Sequence, residues 1–368
     1  MASIITNAVH HAVKRSEIVD ELRTRIISGE FPPGSRLPSY AQIAEEFNSC
    51  RVTAQHAMRY LHEAGHVVIE QRIGAFVSKN PPNLCNIGIV IDRPKESADT
   101  SVFQNALRAE VEKWRLKKSP SGQKWQFSHY YGSVGFSEAR DREALLHSIH
   151  NQRFAGLIFL VGMCDPSVVI SDLQLELLST PKIVIGNKYA GMHSVQLDYD
   201  AFFTRALDYL HERGRKRIGF LLLCSGVQTL ADTYEKLQPQ VEARGMTTKP
   251  QWMHGTIFEL KSWATSYIQL LMQCRGDDRP DALIIGDDHF VPEVTQVVLG
   301  SGVEVPKEFE VVAFAVFPTP TPSAVPATRL GFNASQLFGT CMNYIERSNR
   351  GEEVPDETLI EPVFEHEL

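Results

Sequence analysis

Over the first eighty residues, apolar positions recur at helical spacing and then change to alternation. Ile18, Val19, Leu22, Ile26 and Ile27 form one stripe behind Ser16, and Gly29 stands where a left-handed stop closes a helix. Phe31-Pro32-Pro33-Gly34 reads as turn. Ser39, with Gln42 three positions on, makes a capping box for a short second helix that turns Ile43, Ala44 and Phe47 inward. Asn48 and Ser49 form a tight turn. A third helix is predicted from about Cys50 to Ala64, with Val52, Ala57, Met58 and Leu61 inward and Gly65 at its end. Two short strands follow, Val67–Gln71 and Ala75–Ser78, joined near Arg72-Ile73-Gly74.

After a stiff linker, Asn80-Pro81-Pro82-Asn83, the period changes again. Ile87-Gly88-Ile89-Val90-Ile91 is a continuous apolar run ending in Asp92-Arg93, as expected of a strand buried on both faces. Further strands are predicted over 125–131, 155–161, 182–185, 217–223, 282–285 and 310–314. Helices are predicted over 101–117, 137–150, 200–213, 228–245 and 292–301. Such alternation predicts an α/β fold with parallel sheets, whose ligands bind outside the carboxyl ends of the strands.

Composition narrows the class. A chain of 368 residues, 43% apolar and 22% charged, is expected to form two or three compact units. No apolar run reaches the ~18 residues that a membrane-spanning helix needs, and Met1–Val13 lacks the apolar core of a signal peptide, so a cytoplasmic protein without membrane contact is expected. The six cysteines include no CxxC pair, which suits reduced thiols rather than a metal site, and no cofactor is expected. No GxSxG, P-loop, GxGxxG or HExxH motif is present, so an enzyme is not expected. The net charge of −7 argues against a uniformly basic coat. Residues 1–80 nevertheless hold nine Lys and Arg against eight Asp and Glu, while the remainder holds 28 against 36.

Helix, helix, turn, helix and hairpin in this order make a winged helix-turn-helix, which lays its third helix in the major groove of double-stranded DNA. The polar face of that helix supplies Arg51, Thr53, Gln55, His56 and Arg59. Arginine suits guanine edges, glutamine suits adenine, and threonine suits phosphate or a methyl group. Gln55 and His56 fit base contact and a solvated face equally, and Arg59 fits a backbone contact or a surface charge. Ser39 and the start of the third helix are natural phosphate anchors.

The run Ile27-Ser28-Gly29-Glu30-Phe31-Pro32-Pro33-Gly34-Ser35-Arg36-Leu37-Pro38-Ser39 resembles the opening of the GntR family of bacterial regulators. Cys50-Arg51-Val52-Thr53, Ala57-Met58-Arg59-Tyr60-Leu61, Glu63-Ala64-Gly65 and Gly74-Ala75-Phe76-Val77 continue the resemblance over about residues 14–79. It implies DNA contacts at Arg51 and Thr53 and a phosphate near Ser39. Three positions depart from the pattern: Tyr40-Ala41 replaces Glu-Arg, Gln55 replaces an arginine, and Arg72 replaces the first wing glycine. With Gly74, these make Ser39, Tyr40, Arg51, Thr53, Gln55, His56, Arg72 and Gly74 the candidate DNA-binding set, aimed at an operator unlike the family's usual one.

The rest of the chain resembles the sensing domain of the LacI/GalR regulators, a periplasmic-binding-protein-like fold. The phrases that carry this are Arg153–Ile158, Val195–Asp200, Leu210–Gly219, Pro280–Asp288 and Gly302–Pro306. A GntR-type head on such a domain is similar to the arabinose-repressor type of regulator. The resemblance implies two lobes with a ligand in the cleft. The expected division is an arm over 1–13, the head over 14–79, a linker over 80–85 and a sensor over 86–368. Its first lobe is expected over 86–197 and 328–350, and its second over 198–318 and 356–368. Strand-end polar groups and aromatics make Asp92, Arg93, Phe103, Asn187, Tyr234 and Asp287 the candidate effector-binding residues. Tyr234 stands where the family often has a ligand arginine, and Ala315 where it often has an aspartate. The expected function is therefore a homodimeric DNA-binding regulator, most simply a repressor, controlled by a small-molecule effector such as a sugar or sugar derivative. The alternative is a regulator whose α/β domain has lost its ligand and serves as a dimerising scaffold.

Overall fold

The computed structural model describes residues 15–26, 29–63, 65–70, 72–78, 85–91, 102–119, 124–131, 143–146, 154–160, 180–189, 191–223, 227–256, 261–349 and 352–368, with Lys95 and Ser148. The chain divides into two compact units. One comprises Met1–Ala98, Ala109–Gln196 and Phe338–Thr358; the other comprises Asp99–Arg108, Leu197–Leu337 and Leu359–Leu368.

The head belongs to the first unit. Helix α1 spans residues 15–26, α2 Tyr40–Glu46 and α3 Arg51–Glu63, and strands β1, Val67–Glu70, and β2, Gly74–Val77, pair antiparallel. The predicted stripes close one core: Ile18, Val19, Leu22 and Ile26 meet Ile43, Ala44, Ala57, Met58 and Leu61. Ser39 caps α2 through a complete box, its Oγ accepting from the Gln42 amide at 3.3 Å while its own amide donates to Gln42 Oε1 at 2.8 Å. Asn48 takes φ 44° in the α2–α3 turn, a left-handed conformation that asparagine tolerates better than most residues.

Two inward assignments on α3 are exchanged. Val52 is 57% exposed, whereas Thr53 is only 5% exposed and sits against the core beside Ala54. The period of the apolar stripe runs through 54, 57, 58 and 61, so Val52 falls outside it by about one residue's rotation.

The first unit also holds a six-stranded sheet. Its strands are β3 Asn86–Ile91, β4 Gln126–Tyr131, β5 Gly156–Leu160, β6 Lys182–Ile185, β7 His193–Leu197 and β13 Glu357–Ile360, ordered β13-β7-β6-β5-β3-β4. β3 is buried over Ile87–Ile91, and β5 along its whole length, as the unbroken apolar runs require. Helices α4, Val102–Arg115, and α9, Ala334–Asn349, complete the chain's α/β alternation about this sheet's strands.

The second unit holds a sheet of β8 Ile218–Leu223, β9 Met253–Thr256, β10 Ala282–Ile285, β11 Glu310–Phe317, β12 Thr328–Asn333 and β14 Val363–Phe364, ordered β14-β12-β11-β10-β8-β9. All its neighbours pair parallel except β14, which is antiparallel to β12. Helices α5 Tyr199–Glu212, α6 Val227–Glu242, α7 Lys261–Gln273 and α8 Val291–Gly300 connect these strands. Gly331 lies opposite Ala315, where a Cβ would stand 1.8 Å from the Ala315 carbonyl oxygen. The buried Glu310 carboxylate accepts from Arg215 Nε at 2.8 Å, Arg213 Nε at 3.2 Å and Tyr209 Oη at 2.9 Å, so its charge is paired rather than stranded.

The C-terminal crossings differ from expectation. β12 belongs to the second sheet, although 328–350 was placed with the first lobe, and β13 belongs to the first sheet, although 356–368 was placed with the second. A short apolar strand carries no mark of which sheet it joins; that is settled by the partners its backbone finds, here Asp356 O for Ser194 and Ile360 O for Asp198. The helix predicted over 137–150 is described only at 143–146 and at Ser148.

His66, between α3 and β1, is 1% exposed, and neither ring nitrogen has a hydrogen-bond partner. Burial, reinforced by the nearby Arg23 charge, pushes its pKa down to about 3. The folded ring therefore stays neutral while the unfolded one binds a proton below about pH 6.5, so stability is full above that pH and falls as pH drops toward 3. Lowering pH from 7 to 5 should cost the head about 2 kcal/mol through His66. Amide exchange of α3 in the intact chain, corrected for intrinsic rates, measures this, and His66→Leu should remove that share of the pH dependence.

Candidate functional site

The head builds its outer surface from the start of α2, the first turns of α3 and the wing. Phe31, Arg36, Pro38, Ser39, Tyr40, Arg51, Ile69, Arg72 and Gly74 are among the residues lining a concavity of about 1170 Å³. Five of the eight predicted DNA-contacting residues thus share one surface: Ser39, Tyr40, Arg51, Arg72 and Gly74. Gln55 and His56 lie exposed further along α3, beyond that lining. Thr53 is the exception. Its Oγ1 lies 3.1 Å from Cys50 Sγ, and its burial removes it from the outward face. The same contact, with backbone hydrogen bonds at the start of α3, holds the exposed Cys50 thiol below its usual pKa.

The wing tip shows how its residues were chosen. Arg36 Nη2 donates to the Ile73 carbonyl at 2.7 Å and anchors the turn to the segment before α2. Gly74 has φ +146°, and a Cβ there would meet Arg36 Nε at 3.0 Å, so the position needs both the freedom and the smallness of glycine. Arg72, standing where the resemblance has glycine, takes φ 64°. A non-glycine residue there carries about 1–2 kcal/mol of backbone strain. That cost places an exposed guanidinium on the rim of the concavity.

In the second unit the relevant geometry lies at the carboxyl edge of the sheet. The order β9-β8-β10-β11-β12 reverses direction between β8 and β10, and such switch points are where open α/β sheets bind ligands. Asp287 follows β10 at that point. Its Oδ1 accepts from the His289 amide at 3.0 Å and pairs with His289 Nδ1 at 2.7 Å, capping the short turn Asp288–Phe290. Asp287, Asp288 and His289 bring ligand-type atoms within 4.8 Å of one another, and that closeness is the compactness of this turn.

Tyr199, at the first position of α5, is the residue the sequence reasoning missed. The residue is 45% exposed, and its ring stacks on Phe314 at 6.0 Å and 15°, with Phe332 edge-on at 5.9 Å. Desolvation, and then the charges of Asp287 and Asp288, raise its pKa. The structure therefore groups Tyr199 with Asp287. Its one available signal was an aromatic directly after the capping Asp198. Tyr234 sits half-buried in the second turn of α6, and Phe103 in the first turn of α4. Asn187 is exposed after β6, and Asp92 and Arg93 lie outside the described residues. Ala315 is mid-strand and fully buried, because β11 runs three residues past its predicted end.

Residues 14–77 match the family of bacterial regulatory proteins described as gntR, and residues 207–361 match the periplasmic binding protein-like domain. The chain thus carries a gntR-type winged head followed by a periplasmic-binding-protein-like α/β domain. Over 354 residues it is 22% identical to the arabinose metabolism transcriptional repressor of Geobacillus stearothermophilus, covering 88% of this chain and 90% of that one. Among solved structures, a LacI transcriptional regulator from Bacillus cereus subsp. cytotoxis matches 76% of this chain and 96% of its own, with TM-score 0.59 and 16% identity. The transcriptional regulator CelR–cellobiose complex matches 89% of this chain and 98% of its own, with TM-score 0.58 and 17% identity. At these identities the two structures show the fold. Among the described residues no helix is long and apolar enough to cross a membrane.

Backbone strain at the wing gives a paired test. Arg72→Gly should stabilise the head by about 0.5–1 kcal/mol, the relieved strain less the extra chain entropy of glycine. Gly74→Ala should destabilise it by about 1–3 kcal/mol. Limited proteolysis of the intact chain, followed at cleavage sites within the head, reads both changes.

Proposed function

We propose that this protein is a transcriptional repressor that binds an operator through its winged head and responds to a small-molecule effector, a sugar or sugar derivative, at the carboxyl edge of its α/β sheets. The observation that carries the reading is the gathering of Ser39, Tyr40, Arg51, Arg72 and Gly74 around one concavity between helix and wing. The relatives support the regulator class and the direction of control: one is named a repressor of arabinose metabolism and another a repressor of the galactonate operon. A solved relative holds cellobiose. The Tyr199 ring, near enough to feel the Asp287 charge, offers with it the chemistry of a sugar site, an aromatic face for stacking and an acceptor for hydroxyls. This observation favours a working sensor over a scaffold that has lost its ligand. The reading is one of binding, with no catalytic step.

The full-length protein should bind duplex DNA from its own upstream region with affinity that falls steeply as salt rises. Arg51→Ala should weaken that specific binding by about 1–3 kcal/mol. A thermal-shift screen of sugars, sugar acids and sugar phosphates should give a stabilisation that grows as RT ln(1 + [L]/Kd) for at least one class. Tyr199→Ala should abolish it. Salt-independent or absent DNA binding overturns the regulator reading, and a screen without any shift overturns the sugar sensor.

The operator-bound form is a homodimer on this reading, joined through α7 and α8. These helices pack together and leave Trp263 61%, Leu270 66% and Leu299 54% exposed. Residues 262–273 carry no charged side chain and α8 carries only Glu293, so two copies of this face can meet without like-charge repulsion. Leu270→Glu should convert the dimer to a monomer in sedimentation equilibrium; an unchanged dimer removes this face as the contact.

A further inference from the structure

Exposure along α3 separates two faces cleanly. Thr53, Ala54, Ala57, Met58 and Leu61 are buried, while Arg51, Val52, Gln55, His56, Arg59, Tyr60, His62 and Glu63 are exposed. Val52 is the one aliphatic member among these outward residues, the aromatic Tyr60 lying two turns further along the helix. Nothing in the head's core requires it, since the core cluster is complete without Val52. A β-branched side chain in an exposed first helical turn is a poor helix former, and its 57% exposed surface leaves apolar area facing water. Its position explains the choice. Val52 adjoins Arg51, which lines the concavity with Tyr40 and Arg72, and it shares a helical face with Gln55 and His56 three and four residues on.

Residues at the start of a recognition helix are the ones that meet base edges. Among the groups that bases present in the major groove, the C5-methyl of thymine is the apolar one. Thr53, the residue to which a methyl contact would otherwise fall, has its hydroxyl against Cys50 and its side chain in the interior. We propose that Val52 is a base-reading residue, packing its two methyl groups on the C5-methyl of a thymine in each operator half-site. The inference rests on the DNA-binding reading above and adds a base preference to it.

The test uses the full-length chain. Duplexes selected by it from a random library are rebuilt with deoxyuridine replacing each thymine in turn, which removes one methyl and leaves every hydrogen-bonding group in place. At one thymine per half-site the wild-type affinity should fall about four-fold, the value of one buried carbon. Val52→Ala should tolerate the same replacement with almost no loss, and Val52→Thr, which keeps one methyl, should fall between. Two results overturn the proposal: wild-type protein indifferent to deoxyuridine at every thymine, or equal losses in wild type and both variants. Failure of the chain to select any sequence is a separate outcome, seen before any thymine is replaced, and overturns the DNA-binding reading together with this one.

Discussion

Strands buried on both faces have no polar side to offer water, and a parallel strand can follow its neighbour only after the chain has crossed back over the sheet. The chain accordingly returns between successive parallel strands of each sheet, and their carboxyl ends emerge at the same edge. In both six-stranded sheets the first five strands have the same relative order, with the second strand outside the first and the third on its other side. That order creates one place per sheet where neighbouring connections leave in opposite directions, and a gap opens there without any side chain being sacrificed. Asp287 stands at this place in the second unit, and its charge acts on Tyr199 at the start of α5. The candidate effector chemistry is thus a consequence of sheet order as much as of the residues themselves.

The head depends on the opposite economy. Its elements are too short to be held by burial alone, so local devices set them: a full capping box at Ser39 and Gln42, left-handed Asn48 in the turn, and the Arg36 bridge to the wing tip. Where the chain accepts strain, at Arg72, the residue gained is a charge on the outer rim. Consistency everywhere else makes that exception informative.

These two modes of construction explain what was legible in the sequence. Caps, turns and continuous apolar runs are local, and they placed α2, α3, β3, β6 and β10 to within about two residues. What was not local was lost. Whether residues 328–333 join the first or second sheet depends on partners far along the chain, and β12 went to the second. β7 was quoted for its resemblance yet not read as a strand, because His193 and Gln196 break its apolar run. On α3 the stripe was right but its phase was one residue off, which exchanged Val52 and Thr53. Tyr199 lacked any motif; only the fold carries it to Asp287.

The small charge on the head has a consequence for how such a protein would find its operator. Residues 1–80 carry nearly balanced charge, and Arg36 has its guanidinium committed to the Ile73 carbonyl. Few cations remain for phosphates, and the sequence-independent part of DNA affinity grows with the number of phosphates neutralised. One such head would bind weakly and discriminate mainly through base edges. Two heads on one dimer turn the second contact into an intramolecular one, raising affinity without raising the affinity of either head for the wrong sequence. On the proposed homodimer, a nearly neutral head would therefore make occupancy depend on the spacing of two half-sites, and spacing is a quantity that an effector can alter.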